Sequence, residues 1–239
     1  SNVTNMSRAF WEASAFNQEI GTWDVSGVTV FSSMFFRASE FNADLSDWDV
    51  SNADTFFNMF SDASSFEGQG LSGWQTDKAT NMNGMFSLAT SFNADLSEWD
   101  VSSVTRMDRM FLRAPMFDSD LSKWNVSNVT NMYAMFAWAE SFTGTGLSEW
   151  DISAVVRPEA GTGLDHMLTS SGLTRENYDQ ILLSWSQLAG VPENLSFNAS
   201  PAQYTAGPFA EARQFLIDEY GWTITDNGPI SFATGNGSA

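Results

Sequence analysis

Apolar residues recur along the first part of the chain in one pattern that returns every 25 or 26 residues. Each copy reads approximately V-T-N-M-x-x-M-F-x-x-A-x-x-F-N-x-D-L-S-x-W-D-V-S-N. Six copies follow one another, and they begin at Val3, Val28, Ala53, Ala79, Val104 and Val129. Self-similarity at this spacing is typical of repeat architectures, in which one copy is too small to bury its own apolar face.

The first half of each copy has the apolar spacing of a short helix. Residues 82–89 read M-N-G-M-F-S-L-A, which places apolar side chains at i, i+3, i+4 and i+7. Just before this segment stands Thr in five copies and Asp54 in the third. Thr and Asp share a side-chain oxygen that accepts a hydrogen bond from a free backbone N–H at a helix start. We therefore predict a short, capped helix in each copy.

The second half of each copy has the spacing of a strand, because Trp and Val are two residues apart in L-S-x-W-D-V. Stacked copies would align these strands in parallel, about 4.8 Å apart. We therefore predict an α/β fold, a right-handed solenoid of 25-26-residue leucine-rich-like repeats with one short strand and one short helix each. The extra residue of the longer copies falls at 67–70 and 143–146, where glycines indicate a loop.

The repeat pattern ends after Ile152, and a different block follows. We predict an irregular link at 155–163 and a degenerate seventh helix at 164–168. The other predicted elements are a helix at 174–188 capped by Thr174, a strand at 194–199, a helix at 207–220 with Pro208 in its first turn, and a strand at 222–226.

A terminal block of this kind covers the open end of a stack of repeats, so we predict a C-terminal α/β cap. The predicted divisions are a six-repeat solenoid at 3–154, a degenerate repeat and cap packed on it at 155–226, and a linker or tail at 227–239. The chain opens in the middle of the repeated phrase, at S-N-V-T-N-M, so we expect it to be an excised domain of a larger protein.

Charge and composition narrow the classes of function. The formal net charge is -19, which argues against nucleic acid and anionic lipid as partners and favours neutral or cationic ones. The chain has no cysteine, which excludes disulfides and thiolate metal sites. It has one histidine and lacks G-x-S-x-G, P-loop and H-E-x-x-H motifs, so we predict that it is not an enzyme.

The repeat M-x-x-M-F-x-x-A-x-x-F-N-x-D-L-S-x-W-D-V-S-N-V-T resembles the lipoprotein-associated repeat of BspA-like leucine-rich-repeat bacterial surface proteins. The ending from N-Y-D-Q-I-L-L-S-W to Y-G-W-T-I-T-D is also similar to the C-terminal part of those proteins. The resemblance runs from Val3 to about Asp226. It implies an extracellular, cell-surface adhesin, with host, microbial or matrix proteins or glycans as partners. It carries over no catalytic residue.

One tryptophan stands at the same place in every copy, and this constancy favours a structural role. A stacking core requires an unvarying residue, whereas a ligand surface tolerates variation. We therefore predict that these side chains pack on one another in the core, with a sugar-stacking strip as the alternative. The column consists of Trp23, Trp48, Trp74, Trp99, Trp124 and Trp150.

The residue after each tryptophan is Asp in four copies, Gln75 in the third and Asn125 in the fifth. Amides keep an acceptor oxygen and lose the charge, which favours a hydrogen bond to the following Val-Ser-Asn turn. Contact with a ligand or ion stays open as the alternative. If Trp points inward, the residue before it points outward. This column varies from copy to copy and is the stronger binding candidate: Thr22, Asp47, Gly73, Glu98, Lys123 and Glu149.

A further variable column follows the helix Phe and includes Trp11, Phe36 and Trp138. Trp11 and Trp138 are either exposed and adhesive or packed against the turn. The candidate ligand-binding residues are Trp11, Asp24, Asp47, Asp49, Glu98, Asp100, Lys123, Asn125, Trp138, Glu149 and Asp151. The D-L-S-D-W-D stretch lacks the Gly and terminal Glu of an EF-hand loop, so no cofactor is expected, with Ca²⁺ as the alternative.

The sequence therefore favours an extracellular ligand-binding module of a bacterial surface protein that uses the exposed strand face of its repeats. The alternative is a passive spacer or self-association unit of a large adhesin. Neutral or cationic partners would suit either role, because the chain is strongly acidic.

Overall fold

The computed structural model describes residues 2–156 and 161–230. Regular structure within them is sparse and lies mainly near the C-terminus. The helices are α1, Arg175–Ser186, and α2, Pro208–Tyr220. The strands are β1, Ser196–Asn198, β2, Tyr204–Thr205, β3, Thr223–Thr225, and β4, Pro229–Ile230. Parallel pairing joins β1 to β3 and β2 to β4 in two small sheets.

The predicted right-handed α/β solenoid is wrong. Among the described residues, the six copies consist of turns and irregular backbone, apart from two single 3-10 turns at Leu71–Gly73 and Leu147–Glu149. Neither the repeated helix nor the repeated strand forms. The degenerate helix at 164–168 is also a series of turns. Part of the predicted link, 157–160, and part of the predicted tail, 231–239, lie outside the described residues.

Backbone conformation explains why no helix forms. Two positions in each copy, four residues apart, have positive φ angles, as at Ser33 (56°) and Arg37 (57°) in the second copy. An α-helix cannot accommodate a left-handed residue at every fourth position, because each one turns the chain out of the helical path. The apolar spacing is nevertheless satisfied, since Phe31, Met34 and Phe35 are all fully buried.

Hydrogen bonds between neighbouring copies replace those that a helix would make. The N–H groups of Phe31, Ser33 and Phe35 donate to carbonyl oxygens of the third copy at N···O distances of 3.1, 2.7 and 2.9 Å. The same pattern recurs between the other copies, and isolated parallel bridges mark it from Asn5 to Asn131. Each copy is therefore held mainly by its two neighbours along the chain.

The prediction that the threonines near the start of five copies cap helices is wrong. Instead, both the backbone N–H and the hydroxyl of Thr105 donate to the carbonyl oxygen of Thr80, at 2.9 and 3.2 Å. Thr29 and Thr130 do the same to the copy before them. The column adds side-chain hydrogen bonds to the stack of copies.

The predicted glycine loops are confirmed. Gly70 and Gly146 have φ angles of 84° and 90° and precede the two 3-10 turns. A Cβ atom on Gly146 would lie 2.2 Å from the backbone nitrogen of Ser122. Both the conformation and the close approach therefore require glycine there.

We expect Gly146→Ala to lower the free energy of unfolding by at least about 2 kcal/mol, because it adds left-handed strain and a backbone clash. Urea denaturation followed by tryptophan fluorescence measures this. Gly73→Ala is the matched control, since its Cβ would meet nothing within 4 Å. Equal losses in the two variants would contradict the explanation.

The C-terminal elements agree with the sequence prediction. Thr174 accepts a hydrogen bond from the backbone N–H of Asn177 at 3.3 Å and caps α1. Pro208 begins α2. The indole N–H of Trp185 in α1 donates to the carbonyl oxygen of Leu147 at 3.2 Å, so α1 packs against the sixth copy. Residues 229–230 of the predicted tail form β4.

Candidate functional site

The tryptophan column lies in the core, as the sequence predicts. Trp74 and Trp99 stack with ring centroids 6.2 Å apart and planes within 3°, and Trp124 and Trp150 stack in the same way. Each of these indoles donates its N–H to a leucine carbonyl oxygen of the preceding copy, at 2.8 to 3.3 Å. Trp23, in the first copy, is 42% exposed. The buried members are therefore structural and leave no face for a ligand.

In five of the six copies, the Asp or Asn after the tryptophan fixes a turn. Its Oδ1 atom accepts from the backbone N–H two residues later, as in Asp100 to Ser102 at 2.9 Å. Asp24, Asp49, Asn125 and Asp151 make the same contact. The turn role proposed for this column is thus confirmed, and the amide at Asn125 preserves it. These side chains remain exposed.

These hydrogen bonds lower the pKa of carboxyl groups that accept them. The side chain and backbone of Ser102 lower the pKa of Asp100, and Ser51 acts in the same way on Asp49. A lowered folded-state pKa means that the associated stability is present above the ordinary pKa of 3.8 and is lost as pH falls through the folded-state pKa. Acidification below pH ~4 should therefore loosen these turns.

We expect a carboxyl NMR titration to place the pKa of Asp100 below its ordinary value of 3.8. Ser102→Ala should raise that pKa towards 3.8, because it removes the hydroxyl hydrogen bond and keeps the backbone one. The effect on unfolding should stay within a few tenths of a kcal/mol, since the carboxylate is exposed. An unshifted Asp100, or no response to Ser102→Ala, would contradict this account.

The second halves of the copies together form an acidic edge. We use this name for the residues after the second Phe of each copy. Aligned copies keep this edge in register, because Asn42 and Asn93 each accept, through Oδ1, a backbone N–H of the next copy. Two lysines, Lys78 and Lys123, oppose many carboxylates. The exposed acids are Glu19, Asp24, Asp44, Asp47, Asp49, Glu67, Asp77, Asp95, Glu98, Asp100, Asp118, Asp120, Glu149 and Asp151.

Two adjoining grooves lie on this edge between the fourth and fifth copies. The larger, of about 400 Å³, has Asp95, Asp118 and Asp120 along its walls. The smaller, of about 220 Å³, is lined by four candidates from the sequence: Glu98, Asp100, Lys123 and Asn125. Ser97 and Lys123 border both grooves. Lys123 forms an ion pair with Glu98, which lines the smaller groove, and this contact raises the pKa of Lys123.

The remaining candidates lie elsewhere. Asp24, Asp47, Asp49, Glu149 and Asp151 are exposed on other copies of the acidic edge. Trp11 and Trp138 lie on the turn segments, the M-x-x-M-F-x-x-A parts, in the first and sixth copies. They do not share a column: Trp138 occupies the left-handed position of its turn, with φ 58°, whereas Trp11 precedes that position. The offset is visible in the sequence, because Trp11 follows the Phe of its turn segment by one residue and Trp138 by two, so the prediction of a shared column is wrong.

Asp95, Asp118 and Asp120 line the larger groove but were not predicted as binding residues from the sequence. A signal was present, because the fifth copy reads D-S-D where the second and fourth read N-A-D. Asp118 keeps the acceptor role of the Asn, since its Oδ1 accepts from the backbone N–H of Thr143 at 3.0 Å. The substitution therefore adds a charge to the groove without altering the hydrogen bond that holds the copies together.

The described residues, 2–156 and 161–230, contain neither a cluster of metal ligands nor a membrane-spanning helix. Within them, no three His, Cys, Asp or Glu side chains converge in a way that could hold a metal. Asp44, Asp47 and Asp49 accordingly form no Ca²⁺ site there. No helix in this part of the chain is long and apolar enough to cross a membrane.

A comparison with known protein families finds a match to the repeats. One family model matches residues 1–70 and again residues 58–161, which together include all six copies and about two thirds of the chain. No curated protein matches the chain. The part matched is the part that carries the acidic edge and its grooves. The chain therefore belongs to the family described as "Mycoplasma protein of unknown function, DUF285".

Proposed function

We propose that the chain is an extracellular adhesion module of a bacterial surface protein and that its acidic edge binds a cationic segment of a partner protein. The observation that carries this proposal is the pair of grooves between the fourth and fifth copies, which gathers Glu98, Asp100, Lys123 and Asn125 with three further carboxylates. The resemblance of the repeat to BspA-like surface proteins supports the cell-surface location and the adhesive role.

Charge favours a cationic partner. Acidic side chains far outnumber the two lysines on this edge, and all of them are exposed. Such a surface attracts a basic chain over several ångströms and raises its rate of association at low salt. Lysine or arginine side chains entering the larger groove would meet Asp95, Asp118 and Asp120, whose outer oxygen atoms are available as acceptors.

The turns of this edge depend on side-chain oxygen acceptors and do not depend on the negative charge of the side chains. Asp95 and Asp120 each use one oxygen to hold a turn, at 2.9 Å from Ser97 and Ser122 nitrogen atoms. The scaffold therefore rests on acceptor oxygens, which Asn also supplies. The negative charges on the edge are therefore not needed for the turns and can contribute to binding. A ligand surface can vary from copy to copy while the buried tryptophan column stays constant.

Binding of fluorescent decalysine, measured by anisotropy against decaglutamate, tests the proposal. We expect the triple variant Asp95→Asn, Asp118→Asn, Asp120→Asn to bind decalysine about tenfold more weakly, since each exposed pair contributes up to ~1 kcal/mol. Folding should be retained because every Asn keeps the turn acceptor. Binding should also weaken as salt rises.

The control removes the same number of acidic groups outside the acidic edge, through Glu40→Gln, Asp54→Asn and Asp62→Asn. Its affinity for decalysine should stay within about twofold of the unmodified chain, because these groups lie away from the grooves. Equal weakening in the two triple variants would reduce the effect to net charge and contradict the proposal. Absence of any decalysine binding would favour the alternative of a passive spacer.

A further inference from the structure

A third groove crosses the turn segments of the fourth, fifth and sixth copies, away from the acidic edge. Its volume is about 320 Å³, and it is lined by Leu88, Thr90, Arg113, Pro115, Trp138 and Glu140. The volume falls in the range of small-molecule sites. The lining combines an apolar surface with a few polar groups, which is the composition that orients a bound ligand.

Trp138 is presented to solvent by the backbone. Its φ angle of 58° places it at the left-handed position of the turn, and its N–H donates to the carbonyl oxygen of Thr169 at 2.8 Å. The side chain is 40% exposed. The same position in the earlier copies carries Glu, Arg, Asp, Leu and Arg, so the aromatic residue is specific to the sixth copy.

Arg113 is already oriented at the groove. Its guanidinium carbon lies 5.1 Å from the centroid of the Trp138 ring, a cation–π contact that limits the motion of both side chains. The guanidinium has five N–H donors and no acceptor, whereas the carboxylate of Glu140 only accepts. Thr90 adds a hydroxyl that can do both. Donors and acceptors therefore border an aromatic platform.

This chemistry fits the ring of a sugar. A pyranose carries C–H groups on one face, which pack on an indole, and hydroxyls around its rim, which need both donors and acceptors. Leu88 and Pro115 extend the apolar surface beyond the indole. A purely apolar ligand would leave Arg113 and Glu140 partly desolvated without partners, which costs affinity.

Charge decides which sugars fit. The charged residues that line the groove are Arg113 and Glu140, one of each sign. The chain as a whole carries -19, which repels anionic glycans. We propose that the groove around Trp138, Arg113 and Glu140 is a binding site for a neutral carbohydrate. This site is separate from the acidic edge, so it goes beyond the adhesion proposed above and does not depend on it.

The test is an NMR titration of the chain with lactose, N-acetyllactosamine, maltose and mannobiose. We expect at least one of these probes to shift the indole N–H signal of Trp138 saturably, with smaller effects on the other tryptophans. The anionic probe 3′-sialyllactose should bind at least tenfold more weakly than lactose if lactose binds. The triple Asp→Asn variant of the acidic edge should bind the sugar unchanged.

Variants distinguish binding at this site from non-specific binding elsewhere on the chain. Trp138→Ala and Arg113→Lys should each lower the affinity for the sugar at least tenfold, because one removes the platform and the other the fork of donors. Trp11→Ala is the matched control, an exposed tryptophan stacked on Phe36 at 4.2 Å in the first copy. Its affinity should be unchanged.

Three results would overturn the proposal. The first is a Trp138 signal that none of the four neutral sugars moves. The second is equal binding of 3′-sialyllactose and lactose. The third is a response of Trp138 to an apolar probe such as 8-anilinonaphthalene-1-sulfonate in the absence of any response to sugars, which would assign the groove to apolar ligands.

Discussion

Replacing Trp99 by Ala should lower the free energy of unfolding by about 3–5 kcal/mol. The side chain is 2% exposed, stacks on Trp74 with centroids 6.2 Å apart and lies 6.2 Å from the ring of Phe86. Its truncation leaves a cavity in the middle of the column. It also removes the donor, 2.8 Å away, that satisfies the buried carbonyl oxygen of Leu71.

Urea denaturation, followed by circular dichroism at constant protein concentration, measures this loss. Trp23→Ala is the control, because it removes the same residue from the same place in the first copy, where the indole is 42% exposed. We expect that variant to lose less than about 1.5 kcal/mol. Similar losses at the two positions would show that stacking and burial of the column do not account for its constancy.

Asp226→Asn should cost about 3–5 kcal/mol, because it breaks a buried ion pair and leaves one charge behind. The Asp226 side chain is 2% exposed, and its Oδ2 atom accepts from Arg213 and from the Tyr178 hydroxyl, each at 2.7 Å. The substitution preserves shape and removes the charge. Arg213 would then stay protonated without a carboxylate partner.

The titration of the neighbours reflects the same charge. Burial, followed by the charge and hydrogen bond of Asp226, raises the pKa of the Tyr178 hydroxyl. Burial disfavours the charged form of Arg213, yet the hydrogen bond and charge of Asp226 outweigh it and raise the pKa of the guanidinium. This network joins α1, α2 and the segment after β3.

Thermal denaturation at neutral pH tests the prediction. Asp218→Asn serves as the control, since Asp218 lies exposed on α2 and accepts only a hydrogen bond from Gln214 in the contacts described for it. That variant changes net charge by the same amount and should lie within about 0.5 kcal/mol of the unmodified chain. A comparable loss in both variants would contradict a specific role for the buried pair.

Side-chain burial in the repeats was predictable, whereas backbone conformation was not. The spacing of Met82, Met85 and Phe86 correctly marks them as core. The same spacing arises when two residues of each copy, four apart, are left-handed, and the residues that adopt this conformation include Ser33, Arg37 and Leu88 as well as Gly84. Gly84, Asn58 and Asp62 are residue types that favour a positive φ, but most copies carry other residue types at these positions, so the pattern as a whole still favoured a helix.

Local hydrogen bonds were predictable at positions where different copies carry different side chains that share a hydrogen-bond acceptor. The exchange of Asp for Asn125 identified an acceptor, and the structure places that acceptor on Ser127. Thr174 was recognisable as the cap of α1. Trp185 takes an indole-to-carbonyl contact like those of the repeats, but it comes from a helix outside the repeat frame, so no periodicity could reveal it.

The hydrogen bonding between copies limits which insertions and deletions of residues the chain can accept. In the turn segments, backbone N–H groups donate to the copy that follows, whereas the threonines and the indoles donate to the copy before, at equivalent positions in successive copies. Excision of residues 79–103 would bring the fifth copy onto the third with donors, acceptors and tryptophans still matched. Removal of half that number would misalign all three. Viable gains and losses in this gene should therefore come in whole copies of about 25 residues, as recombination between the repeats produces.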